Sequence, residues 1–273
     1  LGIVETTLEV MMQFDQYFLY FFIYAIIGYV SEVIYCSIPV KRFVNRGFLH
    51  GPYLPIYGFG GLLVVVPLMF FSAHPIVVFL IAFVLTSGLE YVTSFLMEKI
   101  FHTQLWDYSE KFANIRGRVC LLNSTLFGLM GLAATYWLHP NMIRLVSSIP
   151  AQVLNPLSSV LLFIIAIDTT SSIITMAAFQ KQLAEFKLRV NELEVRFDLI
   201  AKQKTTPALE RLKERLKNEL EERRLKLNKR SRRILNAFPS ITARNEEDRL
   251  QLELLKMEFR SYREKKRQQR SKK

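Results

Sequence analysis

The chain has 273 residues, 51% of them hydrophobic, and a formal charge of +12. That charge is unevenly spread: residues 1–179 carry 8 Lys/Arg against 9 Asp/Glu, whereas residues 180–273 carry 28 against 15. The split excludes a single soluble domain and divides the chain into an apolar domain, 1–179, and a basic, highly charged tail, 180–273.

Five apolar stretches approach the length needed to cross a hydrocarbon core of ~30 Å. They are Tyr17–Ile38, Leu54–Phe71, Ile76–Met97, Val119–Leu138 and Leu157–Phe179. A soluble core explains one such run, not five. The second is interrupted by Pro55, Gly58, Gly60, Gly61 and Pro67. Tyr17, Tyr20, Tyr53, Trp106 and Trp137 fall near segment ends, where amphipathic rings favour the interface. No basic stretch precedes the first run, so no signal peptide is expected.

Loop charge sets the expected orientation. The loop 39–53 holds Lys41, Arg42 and Arg46, and the loop 98–118 holds Lys99, Lys111, Arg116 and Arg118. The turn 72–75 holds no Lys or Arg, and the loop 139–156 holds only Arg144. Positive loops face the cytoplasm, so five crossings place the N-terminus outside and the tail inside a plasma membrane.

The tail reads as helix. Leu183, Phe186, Val190, Leu193, Phe197 and Ile200 alternate spacings of three and four, which predicts a coiled-coil seam continuing the fifth membrane helix. The seam serves self-association or an intramolecular hairpin. Thr206–Pro207 reads as a helix start, with Leu209, Leu212, Leu216 and Leu220 as its stripe. After Pro239 a third helix, about 243–270, carries Leu250, Leu254 and Met257 on one face. The fold class is therefore all-α: a five-helix membrane bundle with a charged helical tail.

Three acids lie inside apolar runs: Glu32, Glu90 and Asp168. A carboxylate in hydrocarbon costs about 2.5 kcal/mol or more, so it is kept with a partner or beside a polar cavity. Glu90, Ser94 and Glu98 are spaced by four and share one helix face. Counted from the cytoplasmic ends, Glu32 lies about 9 Å deep, Glu90 about 12 Å and Asp168 about 16 Å. Arg46, Arg116 and Arg118 lie on the same side and are expected to pair with these carboxylates. Two readings stay open: a cytoplasm-facing substrate site, or buried ion pairs that lock the helices.

The Gly/Pro-dense segment 45–58, with Asn45, Arg46, His50 and Tyr57, is awkward at membrane depth unless it is buried in protein or lines a cavity. The loop with Asp107, Tyr108, Asn114, Arg116 and Arg118 is similarly rich in hydrogen-bonding groups. His50 reads as a loop hydrogen-bonding residue, because no two of the four histidines have ligand spacing. Cys36 and Cys120 make neither a metal motif nor an expected disulfide. GxxxxGK[ST], HExxH, GxSxG and CxxC are all lacking, so no cofactor, metal or catalytic residue is assigned. The tail mixes acids with bases, which fits solvated helices or anionic lipid better than nucleic acid.

Several ordered motifs carry a resemblance: Gly28-Tyr29-x-x-Glu32, Asn45-Arg46-Gly47-x-x-x-Gly51-Pro52, Pro55-Ile56-Tyr57-Gly58, Leu89-Glu90-Tyr91-x-x-Ser94-x-x-x-Glu98, Trp106-Asp107-Tyr108-Ser109 and Asn114-x-x-Gly117-Arg118-x-Cys120. Together they resemble the ABC-transporter type IV, or CmpB-like permease, family of bacterial membrane proteins, over about Gly28–Phe179. The resemblance implies a permease subunit that works with a separate ATPase, docked through a cytoplasmic element for which Trp106–Arg118 is the candidate.

Three functional readings follow. In a transport component, Glu32, Glu90 and Asp168 line the pathway or lock its gating helices. In a membrane enzyme acting on a lipid, Glu90, Glu98, His50 and Asp107 supply acid–base chemistry. In a scaffold or sensor, the tail is the working part.

Overall fold

The computed structural model describes residues 2–41, 43–68, 74–201 and 229–271. It is 78% helix. The helices are α1 (Gly2–Val40), α2 (Pro55–Leu68), α3 (Pro75–Phe101), α4 (Leu121–Ala133), α5 (His139–Ser147), α6 (Ala151–Ala201), α7 (Lys229–Ala237) and α8 (Glu246–Ser271). A π-helical turn, Ala134–Leu138, joins α4 to α5, and a two-stranded hairpin, β1 (Asn114–Ile115) and β2 (Val119–Cys120), precedes α4.

Among the described residues, four helical stretches are long and apolar enough to cross a membrane: Met12–Ile38, Pro75–Phe101, Leu121–Ser147 and Ala151–Leu188. They fit a multi-pass membrane protein. The second expected segment is described as far as Leu68, and its last residues, 69–71, lie outside the described residues. It forms α2, whose 14 residues rise only about 21 Å. Pro55 opens α2 where its missing N–H costs nothing, and Pro67 removes a hydrogen-bond donor in its last turn. The fourth segment runs past its expected end at Leu138, because one π turn carries the helix on into α5.

The chain forms two compact units. The first comprises Leu1–Ile174 and Asn236–Ile241. Among the described residues, three apolar clusters hold its helices together. One joins Leu19, Tyr20 and Tyr24 of α1 to Val65 of α2, Met142 and Val146 of α5 and Leu154 of α6. Another packs Val64 and Leu68 of α2 against Val78 and Ala82 of α3. The third sets Leu49 and Tyr53 of the α1–α2 loop on Ala25.

Close α1–α2 contact is enforced by glycine. A Cβ on Gly58 would lie 2.7 Å from the Phe21 backbone oxygen, and one on Gly28 would lie 2.2 Å from Tyr57 Cβ. Large apolar side chains such as Ile76, Val84 and Phe163 face outward from the long helices, as lipid-facing positions do.

The second unit comprises Thr175–Leu235 and Thr242–Lys273. In it α6 continues unbroken to Ala201, with Leu183 and Phe186 buried. Lys187 meets Asp248 at 2.9 Å and Glu247 at 3.2 Å, and Ser231 donates to Gln182. The side chains of Val190, Leu193, Phe197 and Ile200 lie outside the described residues, as does the whole stripe from Leu209 to Leu220. On the last helix Leu250 and Met257 are exposed and Leu254 is half-buried, whereas Leu252, Leu255 and Phe259 of a second stripe are buried. That second stripe has equally good helical spacing and carries the larger aromatic ring.

Candidate functional site

Three polar groups gather at one end of the first unit. They are built from the C-terminal ends of α1 and α3, the middle of α6, the first turns of α2 and α4, and two loops.

The first group surrounds Glu32. Arg46 Nε lies 3.3 Å from Glu32 Oε1, and the Tyr57 hydroxyl donates to Glu32 Oε2 at 2.8 Å. The Cys36 thiol approaches the same carboxylate at 3.7 Å. Arg46 also donates to the Ala237 carbonyl at 3.2 Å and lies over the Phe238 ring, 5.3 Å from its centroid. Asn45 accepts from the Tyr29 hydroxyl at 2.9 Å.

Glu90 enters this group from α3. It is 5% exposed, and the Tyr108 and Asn123 side chains hydrogen-bond its carboxyl group. Its Oε2 has no hydrogen-bond partner, nor does the hydroxyl of buried Ser94 one turn on. Tyr108 sits in the α3–α4 loop. Burial pushes its phenol above the ordinary value of 10.0, and the negative charges of Glu90 and Glu32 push it further.

The second group is centred on Asp168 of α6. Its carboxylate receives the backbone amide of His50 at 2.9 Å, that of Gly51 at 2.8 Å and the Tyr53 hydroxyl at 2.8 Å. His50 Nδ1 lies 2.9 Å from Asp168 Oδ1 and 3.0 Å from Ser172 Oγ. The acid thus binds the α1–α2 loop to α6 through main-chain donors.

The third group pairs Arg118 with Glu98. Arg118 is 2% exposed, donates to the Tyr91 hydroxyl at 3.1 Å, and sits 5.1 Å from the Tyr91 centroid and 5.3 Å from that of Phe95. Gln104 donates to Glu98 at 2.8 Å, and Trp106 Nε1 donates to the Arg118 carbonyl at 2.9 Å.

The hairpin is shaped locally. Asp107 accepts from the Ser109 amide, and Asn114 binds the carbonyls of Ser109 and Lys111 and the amide of Gly117. Its turn sets Arg116 and Gly117 at φ 54 and 70.

The single expected site is therefore distributed. Glu32, Arg46, Tyr57, Glu90 and Tyr108 come together, with Asn45 alongside. Asp168 and His50 form a separate knot. The arginine pairing needs two corrections. Arg118 pairs with Glu98 instead of the three intramembrane carboxylates, because the hairpin folds it back onto the end of α3. Arg116 is exposed at the hairpin turn, with φ 54. Asn123 and Gln104 were missed. Asn123 follows Cys120 by one turn at the start of α4, and that proximity to the hairpin motif was the available signal.

A cavity of about 1040 Å³ connects with the first group. Its lining runs along α1 from Phe14 to Glu32, a rise of about 27 Å. Most of the wall is aromatic or aliphatic, with Phe21, Phe59, Leu126 and Phe127 among its residues. Among the described residues that line it, the charged ones are Glu32, Arg46 and Glu90.

No curated protein and no solved structure matches the chain. The family described as Putative ABC-transporter type IV matches residues 19–173, more than half of the sequence and every element from α1 to Asp168, and the chain belongs to that family.

Proposed function

We propose that this membrane transport component is permease-like and uses the Glu32–Arg46–Glu90 group as a polar intramembrane site at the cytoplasmic end of its cavity. The observation that carries the reading is a mostly apolar cavity whose charged lining is confined to that group. Such a shape holds a ligand by apolar contact and orients it with a few polar groups. The bilayer surrounds the long helices, and the basic loops 39–53 and 98–118 lie in the cytoplasm, with the N-terminus outside and the tail inside. These 273 residues contain no P-loop, so in this reading nucleotide hydrolysis belongs to a separate ATPase subunit. The hairpin segment from Trp106 to Arg118, braced by Asn114, offers that subunit a rigid docking edge.

Affinity purification of the full chain from its native membrane in mild detergent, followed by mass spectrometry, tests the reading. A version ending at Gln180 is run in parallel. A stoichiometric ATPase retained by both versions is the expected result. Partners that all depend on the tail, with no ATPase among them, would overturn it in favour of scaffolding.

A further inference from the structure

The same group carries a statement about what the cavity takes, and this step rests on the transport reading. Arg46 is the cationic side chain lining the cavity among the described residues, and two of its nitrogens and its charge are engaged. It meets Glu32 at 3.3 Å and the Ala237 carbonyl at 3.2 Å, and it lies over Phe238. An anionic head would have to break this arrangement. Glu90 has no such cation. Two neutral donors, Tyr108 and Asn123, attend its carboxyl group, and Oε2 is buried without a partner. A buried carboxylate oxygen left unpaired costs free energy that a donor or a cation would recover. With Glu90 ionised, the form that a bound cation would favour, the two carboxylates exceed the one guanidinium by one negative charge. Tyr57 and Tyr108 are also in the lining, and aromatic side chains of this kind suit a weakly hydrated cation. The aromatic and aliphatic wall then extends for about 27 Å along α1.

We propose that the cavity binds a lipophilic cation, an amine- or ammonium-headed amphiphile, with its head against Glu90 and its apolar body along the α1 wall.

The test uses two ions of nearly the same size and shape and opposite charge, tetraphenylphosphonium and tetraphenylborate. Each is titrated against the full-length protein in maltoside detergent by equilibrium dialysis. The phosphonium is expected to bind saturably and the borate at least about tenfold more weakly, the factor that ~1.4 kcal/mol provides. Glu90→Gln should weaken phosphonium binding by about tenfold or more.

Because that variant could fail to fold, the wild-type protein is also treated with dicyclohexylcarbodiimide, a hydrophobic carboxyl reagent. The modified residue is read by mass spectrometry. Phosphonium should slow labelling of Glu90, and borate should not. Equal binding of the two ions, or phosphonium binding that neither protects Glu90 nor responds to its substitution, overturns the proposal.

Repeating the titration in nanodiscs with and without phosphatidylethanolamine identifies the source of the amine. Competition by that lipid assigns the site to a membrane lipid, and none assigns it to a solute. Preferential borate binding at the cavity would reject the cation while leaving the transport reading intact. Phosphonium bound through Glu90 in a protein that never associates with an ATPase would do the reverse.

Discussion

The amide of Gly51 donates to Asp168 Oδ2 at 2.8 Å, and this contact fastens a glycine-rich loop to a helix 117 residues further along the chain. The carboxylate is held by main-chain N–H groups and one phenol, with His50 and Ser172 alongside. Charge-assisted bonds of this kind are about twice as strong as neutral ones. Asp168→Asn keeps the shape but loses one acceptor oxygen and the charge. It should destabilise the protein by about 2 kcal/mol, with Asp168→Ala costing more. Thermal unfolding in detergent measures the loss, and limited proteolysis should show earlier cutting between residues 48 and 53. Unchanged melting in both variants would mean the loop is held by its apolar contacts.

Arg118 and Glu98 form a pair with almost no solvent access, at 2% and 12% side-chain exposure. Removing Glu98 strands a buried guanidinium, which typically costs about 3–5 kcal/mol. Glu98→Ala should therefore be far less stable than the double variant Glu98→Ala/Arg118→Met, in which neither charge remains. Arg118→Lys should also fail to substitute, since an ammonium cannot contact Glu98, Tyr91 and two rings at once. Folded yield by size-exclusion chromatography ranks the variants.

Two glycines of similar helical context should respond in opposite ways. Gly58→Ala puts a methyl 2.5 Å from the Phe21 ring and 2.7 Å from its carbonyl oxygen, and overpacking of this kind costs about 1–3 kcal/mol. Gly88→Ala meets nothing within 4 Å and should be neutral or stabilising by up to about 1 kcal/mol. Melting temperatures measured side by side decide the matter. Equal losses at both positions would contradict the close α1–α2 approach.

The loops should make stability alkali-sensitive. Burial raises the Tyr108 phenol above 10.0, helped by Glu90 and Glu32. Burial, the hydrogen bond to Asp168 and the Asp168 charge raise Tyr53. Each phenol keeps its proton longer in the folded state than in the unfolded chain. The stability this provides is complete below the unfolded value near 10 and is lost as pH rises beyond it. Far-UV circular dichroism across that range should show a steeper alkaline decline for wild type than for Tyr108→Phe. A parallel decline would exclude Tyr108 as a contributor.

Hydrophobic runs made the long helices legible, because a membrane span is a composition before it is a contact. Carboxylates in apolar runs announced that polar partners exist, yet not which ones. For Asp168 the partners are backbone amides, and every residue but proline carries one, so no side-chain pattern could have named His50 and Gly51. For Arg118 the deciding element was a hairpin with positive φ at Arg116 and Gly117, which folds the arginine onto Glu98. The segment read only as a loop rich in hydrogen-bonding groups, and the direction of its turn depends on pairing between Asn114 and Cys120.

With no room for a methyl between Gly28 and Tyr57 or between Gly58 and Phe21, α1 and α2 cannot slide past or twist against each other without opening a seam along both backbones. Glu32, on α1, and Tyr57, on α2, therefore keep their hydrogen bond through any change that leaves that seam closed. Glu90 belongs to α3, outside the fused pair. A rearrangement of the bundle that moved α3 would thus change the spacing of the two acids while α1 and α2 kept theirs.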